Sequence, residues 1–211
     1  MNKDHWNNIY ATKATDAVSW YQNVPALSLD IIKSLPLEKS SPIIDIGGGA
    51  SNLVDHLVKL GFSNLSVLDI SESALSLSQK RLGDAGNSVH WIASDITQVH
   101  FKPKRFKLWH DRAVFHFLTK AEDRQAYIEH LNQALDTDGY ALIATFSLDG
   151  PGKCSGLEIV RYSPKSLSET LGSSFELVKS ISENHQTPGG NQQAFVYCLF
   201  KKRNITLESA R

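Results

Sequence analysis

Three carboxylates stand at the ends of short apolar runs. Asp45 lies within Ile43-Ile44-Asp45-Ile46, Asp69 follows Leu65-Ser66-Val67-Leu68, and Asp95 follows Val89-His90-Trp91-Ile92-Ala93-Ser94. The first run passes straight into Gly47-Gly48-Gly49. An apolar run, a glycine cluster and then an amphipathic segment read as buried strand, tight turn and helix. Glycine belongs where backbone bends sharply or lets a ligand approach without a Cβ in the way. In a doubly wound sheet the ligand lies across the carboxyl ends of the strands, and an acid about 20 residues beyond such a turn binds ribose hydroxyls. Asp69 holds that place, and three consecutive strand ends carry an acid.

A second polar cluster, His110-Asp111-Arg112, follows the run Phe106-Lys107-Leu108-Trp109, with His116 a little further on. A histidine there can take a proton and an arginine can hold an anionic group. Neighbouring strand positions point to opposite faces, so His110 and Asp111 are expected to have different roles. The spacing of His110, Asp111 and His116 matches no metal-ligand pattern, and no metal site is expected. The loop from Ser147 to Tyr162, with Asp149-Gly150-Pro151-Gly152, Cys154 and Arg161, sits where a lid belongs. Residues 1–25 place His5, Trp6, Tyr10, Trp20 and Tyr21 among polar neighbours, a composition suited to side chains closing over a ligand.

The strand, acid and G-x-G turn in Asp45-Ile46-Gly47-Gly48-Gly49, with Asp69 and Asp95 at the next two strand ends, resemble the class I S-adenosylmethionine (SAM)-dependent methyltransferases. The resemblance covers roughly residues 40–201. It implies SAM as cofactor, bound by Asp45, Gly47, Gly48, Gly49, Asp69, Ile70, Asp95, Ile96 and His110. It also implies that residues after the fourth strand border the methyl donor. His110, Asp111 and His116 are then the candidate catalytic groups, and Trp20, Tyr21 and Arg112 the candidate acceptor contacts. The Asn/Asp-Pro-Pro-Tyr/Phe motif of relatives that methylate DNA or release factors is replaced here by His-Asp-Arg-Ala, which argues against those substrates. Methyl transfer is an in-line displacement in which positioning can supply much of the catalysis. A base is needed only if the acceptor arrives protonated.

The elements that must hold these residues follow from periodicity. Leu27, Ile31, Ile32 and Leu35 mark one helix, and Leu53, Val54, Leu57 and Val58 another that Gly61 ends. Ser71 is a candidate N-cap for the next, and Ser163-Pro164 opens one near the end. Thr119-Lys120-Ala121-Glu122 reads as a capping box, with Asp138-Gly139 turning the chain into a strand over residues 140–146. Alternating strands and helices imply a doubly wound, mostly parallel α/β sheet of seven strands with helices on both faces. Phe175 to Ile181 and Gln193 to Phe200 should add an antiparallel hairpin, with a solvated tail from Lys201. The expectation is one domain over residues 1–211, a lid over 1–25 and a core over 40–201.

Balanced charge, 22 Lys+Arg against 22 Asp+Glu, does not suggest a nucleic-acid partner. No run approaches the roughly 20 apolar residues of a membrane span, so no membrane partner is expected. Cys154 and Cys198 are too few for a disulfide framework, and a cytoplasmic monomer or small homo-oligomer is expected. The leading function is methyl transfer from SAM to a small-molecule oxygen, nitrogen or sulfur acceptor. A protein-lysine methyltransferase is the alternative, and a binding-only domain a further one. A nicotinamide-dependent oxidoreductase is more distant: its fingerprint wants glycine where Asn52 stands. Tyr197 and Lys201 have a Tyr-x-x-x-Lys spacing but fall in an expected strand, where four residues span about 13 Å.

Overall fold

The computed structural model describes residues 2–204. Four of its strands are parallel neighbours on short apolar runs: β1 (Ile43–Ile46), β2 (Leu65–Asp69), β3 (His90–Ala93) and β4 (Phe106–Arg112). Next to β4 runs β5 (Leu135–Phe146), also parallel. The antiparallel pair β8 (Phe175–Gln186) and β9 (Gln192–Lys202) completes a seven-stranded sheet of order β3-β2-β1-β4-β5-β9-β8. Lys153–Cys154 (β6) and Leu157–Glu158 (β7) form a separate small ribbon in the loop after β5.

β1 lies at the centre of the five parallel strands, buried at every position. Its alternation sends Ile44 and Ile46 into one core and Ile43 into the other. The first core is closed by α5 (Ala121–Ala134) and α6 (Pro164–Leu171), through Tyr127, Leu131, Leu167 and Leu171. The second is closed by α2 (Ala26–Ser34) and α3 (Leu53–Lys59), through Leu29, Ile32, Leu53 and Leu57. The sheet is thus sandwiched between helices, as a parallel sheet requires. α4 (Glu72–Leu82) links β2 to β3, and Ser71 caps it by accepting the Ala74 N–H at 3.2 Å. α6 carries a reciprocal cap between Ser163 and Ser166, with Pro164 in its first turn.

Four local expectations are corrected. α5 starts at Ala121, so Lys120 takes the cap position and Thr119 lies one residue too early to cap anything. The Thr119 carbonyl is taken instead, with that of Leu118, by the Arg124 guanidinium at 2.8 Å. The turn at Asp138 is real but sits inside β5. Leu135 pairs with Phe106 and Tyr140 with Leu108, so residues 136–139 bulge out, with Asp138 in the left-handed region at φ +61. Lys201 and Lys202 are strand residues rather than tail, and the Lys202 ammonium donates to the carbonyls of Asn132 and Leu135 at the end of α5. A cation suits the negative end of a helix. The hairpin also runs further than its apolar pattern, because the outer half of β8 is an edge where exposed Ser182, Asn184 and Gln186 alternate with half-buried Ile181 and Glu183 and buried His185. The remainder of the expected tail, residues 205–211, lies outside the described residues.

Trp109, Tyr127 and Asp111 form a buried polar chain between β4 and α5. The indole N–H donates to the Tyr127 hydroxyl at 2.8 Å, and that hydroxyl donates to Asp111 Oδ2 at 2.7 Å. Tyr127→Phe keeps the ring but removes the chain's middle link, leaving two buried groups one partner short. Denaturant unfolding should show a loss of about 1–3 kcal/mol; an unchanged midpoint and slope would mean that the chain contributes nothing.

Candidate functional site

The carboxyl ends of β1, β2 and β4 open into a cleft of two lobes, which share Tyr10, Trp20, Gly47 and Arg112. One lobe is polar, with Asp45, Gly48, Ser51, Asn52, Ser28 and His110 in its wall. The other is mainly apolar, lined by Trp6, Leu68, Ile70, Val114, Phe117 and Cys154, with Asp69 on one side.

The glycine turn lets both lobes exist. Gly47 is left-handed, at φ +68, and a Cβ on it would overlap the Val114 side chain. At Gly49 a Cβ would stand 2.6 Å from Asp69 Oδ2, the oxygen to which the Gly49 N–H donates at 3.0 Å. The other Asp69 oxygen accepts the Ser71 N–H at 2.8 Å. Two backbone donors therefore fix this carboxylate at the end of β2. Burial pushes its pKa up to about 6, against the backbone hydrogen bonds that favour its charge.

Asp45 and His110 are register partners on β1 and β4. Both are buried, with Asp45 Oδ1 2.6 Å from His110 Nδ1. The second ring nitrogen, Nε2, lies 2.9 Å from the Ser28 hydroxyl on α2. With Nδ1–H donating to the carboxylate, Nε2 accepts from Ser28, and both nitrogens are occupied. Asp45 Oδ2 is buried without a hydrogen-bond partner. A buried acceptor in a polar lobe and a second one at Asp69 fit the donors of SAM, an ammonium group and a pair of ribose hydroxyls.

The other expected site residues divide. Ile70 and Arg112 line the cleft, as does Trp20, which reaches both lobes. Tyr21 lines the polar lobe, on the Asp45 side, rather than the apolar one. Asp95 and Ile96 are in neither wall: Asp95 Oδ1 accepts the N–H and hydroxyl of Thr97, and Ile96 is in the core. Asp111 is also absent from both walls, its oxygens taken by Tyr127 and by the N–H groups of Val114 and Phe115. It shapes the turn carrying Val114 instead of facing a ligand. His116 is fully buried, its Nδ1 accepting the Phe146 N–H at 3.3 Å. Burial and then the charge of Arg112 push its pKa down to about 3, so the ring is neutral and too weakly basic to serve as a base near neutral pH. His110 and Asp111 do face opposite sides of the sheet, each packed with its own core's helices.

Sequence reading passed over Ser28, although a serine three and four residues before Ile31 and Ile32 lies on an otherwise apolar helix stripe, a signal of a buried partner. It also passed over what Asn52 does. Its amide donates to the carbonyls of Gln22 and Asn23 at 3.1 and 3.2 Å. The same segment is held by His185 on the Ser19 carbonyl at 2.8 Å and by Arg112 on that of Trp20 at 3.0 Å. Above it α1 (Lys3–Thr12) is tied to the start of α4 by Asn7 with Ser71 and by Lys3 with Glu72. Trp6 meets Trp20 and Phe117 edge to face. In the loop after β5, Cys154 lines the apolar lobe as a neutral thiol, its pKa pushed up to about 12 by burial. Arg161 holds the carbonyls of Leu148 and Gly150 and lines neither lobe. Tyr197 and Lys201 do not form a pair: Tyr197 bonds Arg112 and Glu183, whereas Lys201 bonds Asp138. Among the described residues no cluster of His, Cys, Asp and Glu could hold a metal ion, and no helix is long and apolar enough to cross a membrane.

Comparison with known proteins agrees with this geometry. Residues 43–139 match a family model described as a methyltransferase domain. EEF1A lysine methyltransferase 2 of Mus musculus is 26% identical over 181 residues, covering 82% of this chain and 68% of that protein. The eEF1A lysine and N-terminal methyltransferase of Danio rerio is 25% identical over 57% of this chain, which spans only 17% of that longer relative. Among solved structures, a SAM-dependent methyltransferase from Anabaena variabilis superposes with a TM-score of 0.75 at 18% identity, over 96% of each chain.

The raised Asp69 pKa generates a prediction with a definite sign. Hydroxyl donors favour the charged carboxylate, so SAM affinity should fall below pH 6, about tenfold between pH 7 and 5. Asp69→Asn should bind SAM more weakly at pH 7, by roughly 1.5–3 kcal/mol, and lose that pH dependence. Calorimetric titration across pH 5–8 checks both, and a flat wild-type profile would separate Asp69 from cofactor binding. For folding the sign is opposite. A carboxyl raised from 3.8 to about 6 favours the fold at low pH, and that contribution is lost as the pH rises through 6.

Proposed function

We propose that this chain, as a SAM-dependent methyltransferase, takes as acceptor a small molecule held on the Trp6–Phe117 side of the apolar lobe, the Asp69 side being left to the cofactor's ribose. The observation that carries this reading is the cover over that lobe. α1 and the segment behind it bring Trp6, Tyr10 and Trp20 over the strand ends, opposite Phe117 and Val114. A concave lobe walled by aromatic side chains has the lining of a small-ligand pocket rather than of a protein-docking surface.

When bound, SAM supplies a methyl group on a positively charged sulfur, ready for in-line displacement. In this reading Asp69 accepts from the ribose hydroxyls and Asp45 from the amino end of the cofactor. The glycine turn keeps the floor between them clear. His110 acts on Asp45: with Ser28 behind it, the ring holds the carboxylate's orientation and has no nitrogen left for an acceptor proton. Asp111 and His116 shape the Val114–Phe117 wall from inside the core. What remains for catalysis is orientation and exclusion of water, and these suit an acceptor that is already nucleophilic at neutral pH.

A second reading, transfer to a protein lysine, is favoured by the names of the related mouse and zebrafish enzymes. The two part in one assay. With radiolabelled SAM, a pool of small acids, thiols and amines should yield a labelled small-molecule fraction. A purified translation elongation factor 1A should stay unlabelled. Label on the protein alone would replace the first reading by the second. SAM and S-adenosylhomocysteine should each raise the melting temperature, by the mass action of a ligand that binds only the folded state.

A further inference from the structure

One charged side chain stands at the seam of the two lobes. Arg112 ends β4, lines both lobes and is 10% exposed over its side chain. Its Nε–H donates to the Tyr197 hydroxyl at 2.7 Å and its Nη1 to the Trp20 carbonyl at 3.0 Å, while Phe195 packs under the guanidinium 4.4 Å away. Nη2 is buried and has no hydrogen-bond partner. Glu183 forms a long ion pair with Nη2 at 3.9 Å, which offsets part of its charge but lies beyond hydrogen-bond reach. Its oxygens already accept from Tyr197 and Gln22, and it lines neither lobe.

We propose that Arg112 is the binding site for an anionic oxygen of the methyl acceptor, foremost a carboxylate, whose planar apolar body lies against Trp6, Trp20 and Phe117. This rests on the small-acceptor reading above and names the class of that acceptor. A guanidinium is planar, permanently charged and shaped to pair with a carboxylate. Here two of its three nitrogens are spent on Tyr197 and Trp20, which fixes its plane and leaves the third to a ligand. Donor groups buried without a partner are costly, and an anionic oxygen meets that cost best. The same fixed charge works against a cationic acceptor such as a lysine ammonium, since like charges brought together in a dry cleft repel strongly. The aromatic wall fixes the other end: Trp6 packs edge to face on Trp20 and Phe117 at 5.7 and 5.1 Å between ring centres, a surface suited to a flat ring.

Titration calorimetry with benzoate, benzamide and benzylammonium, each into protein saturated with S-adenosylhomocysteine, tests the assignment. Wild type should bind benzoate about tenfold or more tightly than benzylammonium, a gap expected of one charge-assisted pair. Arg112→Gln should remove the gap, and Arg112→Lys should restore part of it. Equal affinities for the two probes, or a gap that survives Arg112→Gln, would overturn the proposal. So would displacement of S-adenosylhomocysteine by benzoate, because the guanidinium would then serve the cofactor's own carboxylate. Should Arg112→Gln fail to fold, the wild-type affinity ratio and the competition with S-adenosylhomocysteine decide the matter by themselves. The small-acceptor reading is judged separately, by where the radiolabel goes.

Discussion

A carboxylate in the middle of a parallel sheet has no water to answer it, and the protein must answer it from within. Asp45 is answered across the strand pair by His110, at 2.6 Å, and His110 in turn by Ser28 from the helix packed on that face. One buried acid therefore sets the register of β1 against β4, the docking of α2 and the shape of the polar lobe. Had the histidine been one residue along, its ring would have faced α5 and left Asp45 alone. Asp111 is in that adjacent position, and it is satisfied by a different set of partners on the other side.

What could be read beforehand was whatever depends on neighbours in the chain. Ile43 to Ile46, the glycine turn, Asp69 and the caps at Ser71 and Ser163 each announce themselves within a few residues, and the structure has them there. The roles of His116 and Asp111 were not readable in this way. Which way each side chain turns is decided by Phe146 and Tyr127, 30 and 16 residues further along. Asp95 stands at its strand end as expected, yet it turns back onto Thr97. Lys202 looked like tail because nothing nearby in sequence needs a cation. The helix end it caps lies 67 residues earlier.

Arg112 shows the same division in one residue. Its presence after the fourth strand was visible, but its setting was not. Tyr197 and Glu183 come from the antiparallel pair at the far end of the chain, Trp20 from near its start and Phe195 from below. Only the folded sheet brings these distant segments round one guanidinium. In the proposed reading the cleft is accordingly built from two kinds of part: a cofactor half written locally in β1 and β2, and an acceptor half assembled from distant segments of the chain.

The cover over the cleft has one more property. Asn52, His185 and Arg112 all grip it by main-chain oxygens, those of Gln22, Asn23, Ser19 and Trp20. A clasp on backbone is indifferent to the side chain borne by the residue it holds. Variation at positions 19, 20, 22 and 23 can therefore reshape the roof while the fastening stays as it is. Such a scaffold can change its choice of substrate in small evolutionary steps, with no need to invent a new way of closing at each one.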